Sequence, residues 1–314
     1  MNKKEFDVLV AGELNADIIF NRINKMPQIG EEQGAEELNV TMGSSTAIFA
    51  SNSSNLGLSV CFAGKVGNDS FGELVTSTLE SNGVNTGHII IDPDVQTGAT
   101  VILGIGDDRM MVTYPGAMEQ FSGSDIPEAL FSRCRHFHTS SIFFQPALKT
   151  DLLSVLKRAK EQGLTTSMDT QWDPEETWDL DLNQLLPHLD FFMPNEKEFL
   201  NLSGVDNLEE AFDKYSDTGC CLVIKNGADG VILKNGNQIL RESALKISEF
   251  ADAIGAGDSF NAGFIRAFLD SKPLDECLKQ GIRTATASLL APGGTAGIES
   301  FEQVMEVTSG LIRN

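Results

Sequence analysis

Short apolar, β-branched runs alternate with amphipathic stretches along nearly the whole chain, and this alternation decides the class of fold. Residues 6–11, 59–63, 134–139, 164–169, 189–193, 221–225 and 230–234 read as buried strands. Helical periodicity marks 45–56, 70–82, 149–162, 195–202, 208–215, 258–271 and 274–291. A strand buried on both faces needs helices above and below it, and a helix between two strands returns the chain in the same direction. The pattern therefore predicts an α/β fold: a doubly wound, mainly parallel sheet with helices on both faces. Ligands of such sheets gather at the carboxyl ends of the strands.

Two stretches carry strand signals without helices. Residues 13–41 contain Asp17-Ile18-Ile19-Phe20 and Glu37-Leu38-Asn39-Val40-Thr41. Residues 97–116 read as a hairpin, Thr100-Val101-Ile102-Leu103 and Met110-Met111-Val112-Thr113, joined by Gly106-Asp107-Asp108. Both segments stand outside the α/β alternation, and an apolar face left on a small sheet built from them would pair with a second copy, giving a homodimer. No linker divides residues 1–314, which read as one domain; a hydrophobic content of 41% suffices for its core.

The chain has 45 acidic and 23 Lys or Arg side chains, a formal charge of −22. That field opposes nucleic acid and anionic membrane as partners. It opposes a nucleotide too, so an anion site here must rest on helix dipoles, Mg²⁺ and a few cations. Five cysteines, Cys61, Cys134, Cys220, Cys221 and Cys277, are odd in number and lack CxxC spacing, which points to a reduced cytoplasmic setting. The N-terminus runs into a strand without a signal-peptide core, and no apolar run approaches the roughly 20 residues of a bilayer span.

One segment carries chemistry. In Asp252-Ala253-Ile254-Gly255-Ala256-Gly257-Asp258, the small residues Gly255, Ala256 and Gly257 let backbone N–H groups approach an anion. The helix that follows directs its positive end to the same place, and Asp258 at its start supplies a base. Phosphoryl transfer to a hydroxyl needs little more than positioning, charge neutralisation and a proton acceptor. The plainer reading is a glycine-rich helix entry capped by Asp258.

This segment resembles the C-terminal signature of the ribokinase-like (PfkB) sugar kinase family, Asp-Thr-x-Gly-Ala-Gly-Asp, with Ala253 in place of Thr. The likeness continues in order along roughly residues 8–300: Val8-Leu9-Val10-Ala11-Gly12 with Asn15-Ala16-Asp17, Met42-Gly43-Ser44-Ser45-Thr46-Ala47, and Gly64 to Gly72. Pro194-Asn195-Glu196-Lys197-Glu198 and Ile224-Lys225-Asn226-Gly227-Ala228-Asp229-Gly230 continue it. Met42 stands where the family often has glycine. The resemblance implies a ribokinase-like fold whose small sheet is a lid over the sugar, and a kinase that uses ATP and Mg²⁺.

Residue by residue, the resemblance implies that Asp258 is the general base and that Gly255, Ala256 and Gly257 hold the moving phosphoryl. Asn195, Lys225, Gly227 and Gly230 fall beside the nucleotide. Asn195 and Glu198 are three apart and share a helix face, where Glu198 holds Mg²⁺ through water. Asp252 and the backbone of Ile254, with carbonyls near Ala291 to Gly294, match a monovalent-cation (K⁺) site. Asn15, Asp17, Gly43, Gln145 and Asp169 fall on the sugar side, and Asp169-Thr170-Gln171-Trp172-Asp173-Pro174 resembles the Asp-x-Asn-x-Arg segment of some fructose- and ketogluconate-type relatives without its Arg, which argues against a carboxylated or phosphorylated sugar.

The substrate expected is therefore a neutral ribose- or fructose-like sugar. A nucleoside kinase, with Phe143, Phe144 and Trp172 as a base clamp, and a non-catalytic sugar-binding or regulatory protein remain open. His136-Phe137-His138 puts two imidazoles on one strand face, which without a third ligand reads as packing. A nucleophile elbow, a Walker loop and a dinucleotide fingerprint are missing from the sequence.

Overall fold

The computed structural model describes residues 4–25, 27–105, 108–247, 251 and 253–311. The chain opens with β1 (Phe6–Ala11), β2 (Asn15–Asn21) and β3 (Glu37–Met42), then α1 (Ser45–Asn55), β4 (Val60–Gly67) and α2 (Ser70–Ser81). Strand β5 (Asn85–Asp92) leads to β6 (Gly98–Ile105) and β7 (Asp108–Tyr114). Next come α3 (Glu128–Arg133), β8 (Cys134–Thr139), α4 (Pro146–Glu161), β9 (Thr165–Met168), α5 (Leu182–Leu185) and β10 (Phe191–Phe192). After α6 (Glu196–Ser203), α7 (Leu208–Lys214) and β11 (Cys221–Lys225) lie β12 (Val231–Asn235), β13 (Gln238–Glu242), α8 (Ala256–Leu269), α9 (Leu274–Ser288) and α10 (Phe301–Val307).

The main sheet has nine strands in the order β13-β12-β11-β10-β9-β8-β1-β4-β5. From β11 to β5 neighbours are parallel, and the β12–β13 hairpin closes one edge antiparallel. The chain winds outward from β1 to β4 and β5, then returns to add β8 on the other side. The crevice at this switch point is where an α/β sheet takes its ligand.

Alternation along β1 divides the core: Val8 and Val10 join one apolar layer with Phe49, Phe62 and Phe264, and Leu9 and Ala11 the other with Phe137, Leu156 and Phe192. Full burial of each large side chain contributes roughly 1.5–3 kcal/mol before entropy is counted.

The second sheet, β3-β2-β6-β7, has two unlike faces. Register aligns Leu38, Phe20, Leu103 and Met110 in one row and Val40, Ile18, Val101 and Val112 in the next, an apolar face. The opposite face carries the row Thr41, Asp17, Thr100 and Thr113. The expected turn at Gly106 and Asp107 lies outside the described residues.

Several elements depart from the sequence reading. Strands β5 and β13 and the short helices α3, α5 and α10 lie where no regular element was expected. Helix α4 begins at Pro146 rather than 149, because proline's fixed φ suits the first helical position. Helix α8 begins at Ala256 rather than 258, directly after Gly255 in the left-handed conformation at φ 69°.

Candidate active site

The carboxyl ends of β1, β8, β9, β10 and β11 converge on the N-terminus of α8. Gly255 is packed so tightly that an added Cβ would stand 2.8 Å from the Gly294 Cα and 2.9 Å from Ile48, and its φ is positive. Only glycine fits this turn, and it places Asp258 in the first turn of α8, where backbone N–H groups have no helical partner. Asp258 is only 5% exposed. Its Oδ1 accepts the Gln171 amide at 3.1 Å, and the Ser45 hydroxyl also donates to the carboxylate. Burial pushes this carboxyl well above the ordinary aspartate range; the Asp169 and Glu13 carboxylates push the same way, against the Lys225 ammonium. A buried carboxylate of raised proton affinity suits a general base.

Beneath Gly257, Lys225 donates to Oδ2 of Asp169, a fully buried carboxylate. A methyl group at Gly257 would sit 3.2 Å from Lys225 Nζ. Asn261, three residues after Asp258 on the same helix face, donates to the same Asp169 oxygen at 2.7 Å. Asp169 Oδ1 and Asn261 Oδ1 are buried and accept no hydrogen bond from a described residue. Asn195 caps α6 and Glu198 closes the capping box: the Asn195 amide donates to Glu198 Oε1 at 2.6 Å and its backbone N–H to Oε2 at 3.0 Å. Burial, helped by the Asp169 charge, pushes the Glu198 carboxyl up to about 7.

On the other side of Asp258 lies a second acidic, hydroxyl-rich group. The Asn15 amide donates to Asp17 Oδ1 at 2.9 Å and to the Thr100 hydroxyl at 3.1 Å, which meets Thr113 at 3.0 Å. Burial raises the Asp17 carboxyl to about 6, against the pull of Asn15 and Arg109. Glu13, following β1 and Gly12, accepts the Thr46 hydroxyl at 2.6 Å and the Thr46 N–H at 3.2 Å. Its carboxyl is pushed up to about 7 by burial. The Gln145 amide bonds the Ser140 carbonyl at 2.8 Å and reaches Glu13 at 3.3 Å, while its Oε1 is buried without a partner among the described residues.

A cavity of about 670 Å³ opens on the far side of Gly257. Its lining includes Lys225, Gly227 and Gly230, the helix entry Ala256 and Gly257, and the apolar Phe260, Ala285 and Leu289. Gly230 takes φ 95°, and a Cβ there would strike the Glu242 carbonyl at 2.1 Å.

Comparison with known proteins gives the family and the fold. The pfkB family carbohydrate kinase pattern matches residues 4–300. The chain belongs to the pfkB family of carbohydrate kinases. This kinase is 26% identical over 301 residues to a ribokinase of Lactococcus lactis, covering 95% of each chain. It is also 26% identical over 268 residues to a 2-dehydro-3-deoxygluconokinase of Bacillus subtilis, covering 81% of this chain and 82% of the relative. The structure of Arabidopsis thaliana ribokinase complexed with ribose and ATP superposes with a TM-score of 0.84 at 24% identity, over 97% of this chain and 99% of that one. The ribokinase fold is shared throughout.

In this pfkB kinase the expected site residues fall into two clusters around Asp258. Asn15, Asp17, Gly43 and Gln145 stand on the small-sheet side; Asn195, Glu198, Lys225, Gly227, Gly230 and Gly257 stand on the cavity side. Asp169, expected with the sugar residues, is held through Oδ2 by Lys225 and Asn261. Ile254 precedes Gly255, against which the 291–294 loop packs through Gly294, whose carbonyl accepts the Asn52 amide at 2.9 Å. Asp252 lies outside the described residues. Sequence reasoning missed Glu13 and Asn261 as parts of the site and gave no individual role to Ser45, Thr46 and Gln171, which entered only within longer motifs; the i, i+3 spacing from Asp258 was a signal for Asn261 alone. His136 and His138 are buried and share Ser167 as partner at 2.7 Å each, away from any metal-binding cluster among the described residues.

Among the described residues no helix is long and apolar enough to cross a membrane.

Proposed function

We propose that this kinase transfers the γ-phosphoryl group of ATP to a primary hydroxyl of a neutral, ribose- or fructose-like monosaccharide, with Asp258 as general base. The position of Asp258 carries the reading: it stands at a helix N-terminus beside a cavity of about 670 Å³ and faces the Glu13 carboxylate of the acidic, hydroxyl-rich cluster. The acceptor hydroxyl gives its proton to Asp258 as its oxygen bonds to phosphorus, and the bond from phosphorus to the bridging oxygen breaks to leave ADP. Backbone N–H groups at Gly255, Ala256 and Gly257 hold the moving phosphoryl, and Lys225 neutralises it. The apolar lining of the cavity, Phe260, Ala285 and Leu289, suits a purine base.

Both Glu198 oxygens already accept a hydrogen bond and keep one lone pair each, so Glu198 fits a hydrated Mg²⁺ held through water. When bound, Mg²⁺ neutralises the phosphate oxygens. The backbone of Ile254, with Asp252 and the 291–294 loop, is assigned to K⁺.

On the sugar side, Asp17 and Asn15 bind vicinal hydroxyls, Gly43 leaves room for Asp17, and Gln145 adds an amide. The two carboxylates Asp17 and Glu13 disfavour a sugar acid or sugar phosphate. Two of the aromatic rings that a nucleoside clamp would use are engaged by Trp178, Phe143 at 5.8 Å and Trp172 at 5.0 Å, which favours the sugar.

The small sheet is assigned as a lid over the sugar, with its Asp17 row facing inward and its apolar face joined to a second copy as a homodimer. Val112 is 72% exposed and Met110 54% on that face. Five free, buried cysteines support a reduced, cytoplasmic setting.

The test is ADP release with Mg-ATP across neutral pentoses and hexoses, ketogluconate and nucleosides, with and without K⁺. Turnover on neutral sugars is expected; turnover confined to sugar acids or nucleosides contradicts the reading.

A further inference from the structure

Gln171 occupies the left-handed backbone region, at φ 59°, which L-residues other than Asn and Asp rarely adopt. The chain on both sides holds it there. Upstream, the Asp169 N–H donates to the Thr139 carbonyl at 3.1 Å and its side chain is fixed by Lys225 and Asn261. Downstream, Asp173 gathers the Glu175 N–H at 3.0 Å, the Thr177 hydroxyl at 3.0 Å and the Trp178 N–H at 2.6 Å. Trp172 stands edge-on to Trp178 and under the Lys197 ammonium, 4.4 Å from its ring. Other residues of this chain, Glu176 and Trp178 in the same segment among them, also take positive φ, so the contact Gln171 makes sets it apart rather than its conformation alone. Here the strained residue is a glutamine whose amide reaches Asp258 Oδ1 at 3.1 Å. Strain held in place by surrounding contacts, at a residue touching a reacting group, is a mark of function.

We propose that Gln171 is a positioning residue for phosphoryl transfer: its amide N–H holds the Asp258 carboxylate by one oxygen in the orientation that receives the acceptor's proton. This rests on Asp258 being the proton acceptor. The charges facing Asp258 are Asp169 and Glu13, which favour its protonated form, and Lys225, which favours the ionised form together with the Ser45 hydroxyl. The Gln171 amide adds a second neutral donor on the ionised side without adding charge. During transfer the proton passes from the sugar hydroxyl to Asp258, and the amide keeps its own hydrogens.

The test uses the full-length enzyme with its best sugar, comparing wild type with Gln171→Met, which keeps the length and removes the donor, and Gln171→Glu, which replaces it with a carboxylate. Gln171→Met is expected to lower kcat about tenfold or more, with sugar affinity by calorimetry within about threefold of wild type. The acid limb of its kcat–pH profile moves to higher pH, and Gln171→Glu moves it further. An unchanged kcat and acid limb in Gln171→Met overturns the proposal. So does a fall in kcat accompanied by lost sugar affinity and an unmoved acid limb, the mark of a structural role. Asp258→Asn is assayed beside them: if it retains turnover, the reading of Asp258 fails, whereas an inactive Asp258→Asn with a normal Gln171→Met overturns only the role of Gln171.

Discussion

Gly43 lies against the carboxylate of Asp17, so closely that a Cβ at position 43 would stand 2.1 Å from Asp17 Oδ1. The Gly43 N–H is bonded to the Asn15 carbonyl at 2.9 Å, so the backbone at 43 has little room to retreat. Gly43→Ala is therefore expected to turn Asp17 aside and raise the sugar KM about tenfold or more, with a smaller change in kcat. Initial rates over a sugar titration check this, and an unchanged KM contradicts the role of Asp17.

The Lys225–Asp169 pair predicts a stability effect separate from turnover. Removing one partner of a buried pair leaves an uncompensated charge, a cost of about 3–5 kcal/mol, while removing both costs less. Lys225→Met is expected to lower the urea midpoint more than Lys225→Met combined with Asp169→Leu. Additive losses in the double-mutant cycle would contradict a coupled pair.

Glu13 predicts how stability varies with pH. Its carboxyl titrates near 7 when folded against an ordinary value of 4.5, so between those pH values the folded chain binds more protons than the unfolded one. Stability is fully present below about 4.5 and is lost as pH rises through 7, by on the order of 3 kcal/mol from this group. Asp17 and Glu198 shift in the same direction. Melting temperature is expected to fall from pH 5 to pH 8 in wild type, and to fall less in Glu13→Gln. Equal slopes in the two proteins would count against the buried Glu13 carboxyl.

The apolar face of the small sheet predicts assembly. Val112→Glu places a charge at its exposed centre and is expected to convert a dimer to a monomer in sedimentation velocity, with the helical and strand content unchanged. A monomeric wild type at micromolar concentration contradicts the proposed contact.

The sheet, most of its flanking helices and both halves of the small sheet were legible because period and turn signals agree there. Elements too short to show a period were not: α5 is a single turn, and α3 and α10 have six and seven residues. Strand β5 carries Ile89, Ile90 and Ile91 in succession after Asn85, Gly87 and His88, so neither alternation nor a continuous apolar run marks it. Within the site, residues in turns of recognisable pattern were found, whereas Glu13 was missed and Gln171 was given no role of its own. Their meaning comes from contacts across 33 and 87 positions, to Thr46 and Asp258, which no local pattern records. Asp169 was named only through the family resemblance, on the sugar side, and its partner Lys225 is 56 residues away.

The central claim is that Asp258 accepts the proton of the acceptor hydroxyl. Single-turnover rates with Mg-ATP and the best neutral sugar, for wild type and Asp258→Asn, test it most directly. The account expects a loss of about 10²–10⁴ in the transfer rate with sugar affinity nearly unchanged. An Asp258→Asn enzyme that transfers phosphoryl at close to the wild-type rate would contradict it.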